Sequence, residues 1–172
     1  MSTEPNPTGG TPPAPPAVDS RAGFHRAIVW GFKTAIDAGA RQVLCVDRDF
    51  AEWPLDDAEL LQALTTWLRL PQRRLLMLAG SFDTVPRRSP RFNAWRRHWT
   101  HAIEGWQPPD EMNVELPTLL VADRILTVRL IDHANWRGRA SLDQRDARVQ
   151  SQEIDAVLQR CERAFSVNAL GL

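Results

Sequence analysis

An α/β fold, a mixed sheet covered by helices, is predicted from three features of the chain. Residues 41–47 (RQVLCVD) and 74–79 (RLLMLA) are short and apolar almost throughout, as expected of buried parallel strands. Each follows a stretch whose apolar residues recur at helical spacing. The stretch 116–135, LPTLLVADRILTVRLIDHAN, then reads as two apolar strands joined by a tight turn at Asp123-Arg124. It comes after two strand–helix units and before the last helix, so the reading places it mid-sheet.

A chain of 172 residues is long enough for one domain with a sizeable core. Residues 1–18 hold six prolines and two glycines and are expected to form a disordered tail, leaving 19–172 as a single α/β domain. The PPAPP within the tail could present a polyproline II helix to an aromatic groove. Lys+Arg and Asp+Glu are equal at 21 each, so no global charge favours nucleic acid or an anionic membrane. No apolar run is long enough to span a bilayer, and the N-terminus lacks the basic start and apolar core of a secretory signal. Cys45 and Cys161 have no ligand spacing and read as reduced core thiols, which suits a cytoplasmic protein.

In chain order, a first helix runs from Asp19 or Ser20 to Asp37. Phe24, Ala27, Ile28, Phe32, Ala35 and Ile36 lie on one side, and Gly39 serves as its stop. Trp30 falls among the polar positions, where it could cover a loop or face a partner. A second helix spans 57–70, with Asp56 and Glu59 in capping-box spacing and Pro71 beyond its end. A third starts at Ser89-Pro90 and carries Phe92, Trp95, Trp99, Ala102, Ile103 and Trp106 at helical spacing. Strands follow at 112–116, 118–122 and 125–131, then a polar loop over 133–146 and a last helix from Asp146 to Phe165.

From Thr84 to Ile103 there is no acidic residue, but there are Arg87, Arg88, Arg91, Arg96 and Arg97, with His98 and His101. One reading is an anion or nucleic-acid patch with guanidinium groups on phosphates. The other is a solvated basic face whose interleaved tryptophans point to the core. His98 and His101 have a helix-compatible spacing for a metal, but no third ligand is evident, and neither metal nor cofactor is expected. Asp47, Asp49 and Glu52 stand at the C-terminal end of the first strand, the edge where α/β sheets bind ligands. They read either as paired carboxylates that bind Mg²⁺ or do acid/base work, or as solvated loop acids. Asp132-His133, Asn135 and Arg137 could form a small polar cluster. Gly80-Ser81 lacks a phosphate-loop or nucleophile-elbow context.

The element order, ending in a hairpin with an aspartate at its turn, resembles one half of the phospholipase D superfamily. That family carries His-x-Lys-(x)4-Asp, a nucleophile and a phosphate ligand, followed by Gly-Ser. With the motif's Asp on Asp123, its Lys falls on Thr118, its His on Leu116 and its Gly-Ser on Leu130-Ile131. The chain is also similar to a proteobacterial domain that looks like such a half without the active site, appended in some chains to acetyltransferases. The resemblance implies a half-domain sandwich with no catalytic residues, only Asp123 remaining of the motif. It would act through protein contacts and most simply as a homodimer, since active halves pair. Nucleic-acid or anion binding through residues 87–97, and a hydrolase or transferase with a relocated site near Asp47, Asp49 and His133, are the alternatives.

Overall fold

The computed structural model describes residues 10–164. In chain order the elements are α1 (Arg21–Asp37), β1 (Gln42–Asp47), α2 (Ala58–Leu68), β2 (Arg74–Ala79), α3 (Val85–Arg88), α4 (Pro90–Arg96), a 3-10 turn (Arg97–Trp99), β3 (Ile103–Gln107), β4 (Thr118–Ala122), β5 (Leu126–Asp132), β6 (Arg137–Ser141), α5 (Gln144–Leu158) and β7 (Glu162–Arg163). The strands form one mixed sheet in the order β6-β5-β4-β1-β2-β3-β7. β1, β2 and β3 run parallel, while β4, β5, β6 and β7 add antiparallel pairings. The α/β fold with a helix-covered mixed sheet is as expected, and the 116–135 hairpin puts β4 beside the central strand β1, with β5 one strand further out.

β1, β2 and β4 are apolar on both faces because both faces are covered. On one face Val43, Cys45, Leu75, Met77, Leu120 and Ala122 pack under α1, α2 and α4. On the other, Leu44, Val46, Leu76, Leu78, Leu119 and Val121 meet Ala147 and Ile154 of α5. Ser20 caps α1 by accepting from Gly23 N at 3.0 Å, and Gly39, at φ +75°, ends it.

Several expectations are corrected. Asp57, not Asp56, caps α2, accepting from Leu60 N at 3.0 Å. Asp56 instead accepts from Phe92 N at 2.9 Å and Arg91 N at 3.3 Å, so it closes the start of α4, a role expected of Ser89. α2 ends at Leu68, two residues short of the expected stop. The helix expected to run through Ile103 and Trp106 breaks after Trp99, and 103–107 is a strand on the open edge of β2. Residues 112–116 form no strand and pair with none of the seven. The supposed loop 133–146 contains β6, whose polar alternation RGRAS suits an edge strand with one wet face. α5 stops at Leu158, leaving Cys161 half-buried beyond it, while Phe165 and residues 1–9 lie outside the described residues.

The boundary between tail and domain also shifts. Val18 is buried at 6% exposure, and its carbonyl accepts from Gly138 N at 3.0 Å. Trp30 is buried at 8% exposure, and its indole donates to the Pro13 carbonyl at 3.0 Å. Of the two roles open to it, Trp30 covers a segment of its own chain. Large hydrophobic side chains exposed among the described residues are Leu70, just past the end of α2, Ile131 on β5 and Val149 on α5, so they form no single patch in sequence.

Candidate functional site

A cavity of about 670 Å³ opens at the C-terminal end of β1 and β2. Its floor is built by loop closure. Asp47 ends β1 and turns its carboxylate onto the loop that follows, where Oδ2 accepts from Phe50 N at 2.7 Å and Asp49 N at 3.2 Å. The loop after β2 is tied to the same place, since Gly80 N and Ser81 N donate to the Arg48 carbonyl at 3.0 and 3.1 Å. Thr84 Oγ1 adds a 2.8 Å bond to the Asp49 carbonyl. Phe24, Trp53 and Trp136 supply the aromatic wall, with Phe24 to Trp53 edge-on at 6.1 Å.

Asp47, Asp49 and His133 converge here, as the relocated-site reading required. Thr118 at the start of β4 donates its hydroxyl to Asp47 Oδ1 and lies 2.8 Å from His133 Nε2. A threonine has one hydroxyl proton, and this one goes to the aspartate. The threonine oxygen therefore accepts from His133 Nε2–H, so that Nδ1 is the nitrogen with a lone pair whenever the ring is neutral. Asp47 is only 8% exposed, whereas His133 stands exposed at the rim. Sequence alone linked Asp47 to His133 only as neighbours of strand ends, and it gave no sign that Thr118 would join them.

Three positions of the resemblance motif, Leu116, Thr118 and Leu130, line this cavity. Asp123 does not. It sits at the opposite end of the sheet, at φ +40°, where its carboxylate accepts from Arg41 N at 2.8 Å and Gln42 N at 3.1 Å. It thus clamps the β4–β5 turn to the start of β1, a structural task.

The polar cluster after β5 splits. His133 turns to the cavity, but Asn135 bonds Asp132 through its amide at 2.8 Å and its backbone N at 3.1 Å. These bonds, with the backbone of Ala134 and the charge of Arg137, hold the Asp132 carboxyl below the usual range. Arg137 is exposed at the start of β6 and does not line the cavity.

The arginine-rich segment forms a surface beside this end of the sheet. Arg87, Arg88, Arg91 and Arg97 are exposed, and Phe92 beneath them is fully buried. Arg88 approaches Glu52 at 3.9 Å, which links the segment to the cavity rim. Arg87, Arg91 and Arg97 form no ion pair among the described residues. Arg96 differs: it is half-buried, bonds Asn93 Oδ1 at 3.1 Å, and burial together with the Arg97 charge lowers its pKa. Trp95 packs inward and donates to Thr65 Oγ1 at 2.8 Å, so the tryptophans and arginines do divide between core and solvent. Among the described residues no group of three His, Cys, Asp or Glu could hold a metal, and no helix is long and apolar enough to cross a membrane.

No family model and no curated protein matches the chain. Among solved structures, the fold is similar to that of TrmBL2, an archaeal chromatin protein whose structure shows a novel mode of DNA binding. The likeness has a TM-score of 0.57 at 12% identity and covers 82% of this chain but 51% of that one, so this chain spans about half of that protein's length. At that identity the shared property is the α/β fold itself.

Proposed function

We propose that this domain binds phosphate-rich polyanions, with nucleic acid as the leading class, through Arg87, Arg88, Arg91 and Arg97. The carrying observation is an acid-free segment whose four guanidinium groups reach solvent from α3, α4 and the 3-10 turn that follows, three of them without an ion pair among the described residues. Such groups are free to replace counterions on a phosphate backbone. The fold likeness to a DNA-binding chromatin protein supports the same class. The near-zero net charge means that binding is local to this patch.

The test is fluorescence anisotropy with a random-sequence DNA duplex. If three phosphates are contacted, affinity falls roughly 40-fold over a fourfold rise in salt. The triple variant R87A, R91A, R97A loses most of that salt dependence. No binding at about 50 mM salt sinks the reading.

A second reading is favoured by the cavity: a relocated hydrolase or transferase site with His133 Nδ1 as proton acceptor. Phosphoryl transfer fits poorly, because Asp47, Asp49, Glu52 and Glu115 line the cavity against Arg48 and His133. Carboxylates with Trp53 and Trp136 suit an amine-bearing ligand. Titrating millimolar alkylamines while following the His133 ring resonances distinguishes the two readings. Unmoved resonances would leave the cavity a structural feature.

A further inference from the structure

The proline-rich stretch ahead of α1 is attached to the domain at more than one point. The Trp30 indole donates to the Pro13 carbonyl at 3.0 Å. The Val18 carbonyl accepts from Gly138 N at 3.0 Å, and Val18 itself is buried. Between them the Ala17 carbonyl lies so close to Gly23 that a Cβ there would sit 2.9 Å from it. Gly138 has no room for a side chain either, since a Cβ would run into the Arg129 carbonyl. Meanwhile Pro12, Pro13 and Pro15 remain exposed.

An indole N–H on a proline carbonyl is a contact that polyproline recognition also uses. Proline fixes φ near −65°, so a PPAPP run favours a polyproline II helix whose carbonyls point outward without internal partners. An indole N–H at the edge of an aromatic face reads such a carbonyl, and ring contact with proline adds to it. Beside Trp30 a second cavity of about 520 Å³ continues the surface, lined by Val29, Pro54, Arg26 and Lys33 among others. The strap leaves this room unfilled.

We infer that the Trp30 face is a polyproline-reading site, occupied in cis by the chain's own residues 12–16 and open to a proline-rich segment of a partner when that strap is displaced. This is independent of the polyanion reading, which uses other residues. The strap is short, so its effective concentration at Trp30 is in the millimolar range, and a partner segment must outcompete it or bind after it is released.

The experiment uses the ¹⁵N-labelled full chain, with the Trp30 indole resonance identified by its loss in W30F. Replacing Pro12, Pro13, Pro15 and Pro16 together by glycine leaves the Val18 anchor in place. The Trp30 resonance then moves toward the position of a free indole, and a synthetic peptide of residues 10–18 returns it. The unmodified chain does not respond at the same peptide concentration, nor does the glycine variant to a proline-free peptide. P13G alone, expected to show a smaller shift of the same sign, serves if the fourfold variant loses its dispersed spectrum. A Trp30 resonance indifferent to the strap substitutions overturns the inference, as does an equal response to the proline-free peptide. Dimers of the unmodified chain that dissociate in the glycine variant would overturn the cis arrangement, since the strap would then belong to a second copy.

Discussion

β1 ends in two aspartate sites that do opposite things. At its start, Asp123 reaches across from the β4–β5 turn and takes two backbone N–H groups. At its finish, Asp47 also takes two backbone N–H groups, but it adds the Thr118 hydroxyl and through it His133. Both are loop-closing carboxylates. The second carries its hydrogen-bond chain on through Thr118 to His133 at the 670 Å³ cavity, whereas the first ends on backbone N–H groups. The residue that looked like a motif remnant is a clamp, and the residue that could pass for a solvated loop acid is buried at the site. What a carboxylate bonds to is set by the fold, and its place in a sequence pattern does not reveal that.

The largest effect that separates the two ends is expected from Asp47→Ala. It removes three accepted hydrogen bonds from a buried site and should cost about 3 kcal/mol by urea unfolding, with faster amide exchange over residues 48–53. Asp123→Ala, at the more exposed end, should cost about 2 kcal/mol. A larger loss at Asp123 than at Asp47 would reverse the comparison. Asp123→Gly should be milder than Asp123→Ala by about 1 kcal/mol, because glycine accepts φ +40° without the Cβ penalty.

Thr118→Val keeps the shape but removes the bridge between Asp47 and His133. A loss of about 1.5 kcal/mol is expected from the unpaired Asp47 oxygen. The more decisive readout is the His133 ring nitrogens, which should change from the single Nε2–H tautomer to a mixture. Unchanged ring resonances would show that Thr118 does not hold the imidazole.

Glu104 on β3 offers a third carboxylate, distant from both ends in the sheet order, whose role is electrostatic. Burial works against its charge, yet hydrogen bonds from Arg74 at 2.7 Å and Trp106 at 3.1 Å, with the charges of Arg74 and Arg163, hold its pKa below the usual range. A lowered folded-state pKa contributes stability that is present above the unfolded value of about 4.3 and is lost as pH falls through the folded value. Glu104→Gln should therefore cost about 1 kcal/mol at neutral pH, and the deficit should shrink in acid. A deficit that is constant with pH would assign the effect to packing.

The sequence by itself determined the elements buried on both faces. Gln42–Asp47, Arg74–Ala79 and Thr118–Ala122 are legible almost to the residue, because continuous apolar runs bounded by turn residues have few other uses. Ser20, Gly39 and the Asp123-Arg124 turn were legible for the same local reason. What only the tertiary structure decided lies where a neighbour supplies the missing half. Ile103 and Trp106 keep the helical spacing of Phe92, Trp95 and Trp99, yet the open edge of β2 makes them a strand. Arg137–Ser141 looks like loop until β5 pairs with it. Trp30 looks unpartnered until Pro13 reaches it, and Thr118 looks like a vacated position until Asp47 and His133 meet there. Periodicity records which face of an element is apolar, but hydrogen bonds between residues 71 and 15 positions apart are set by chain closure, which local pattern does not encode.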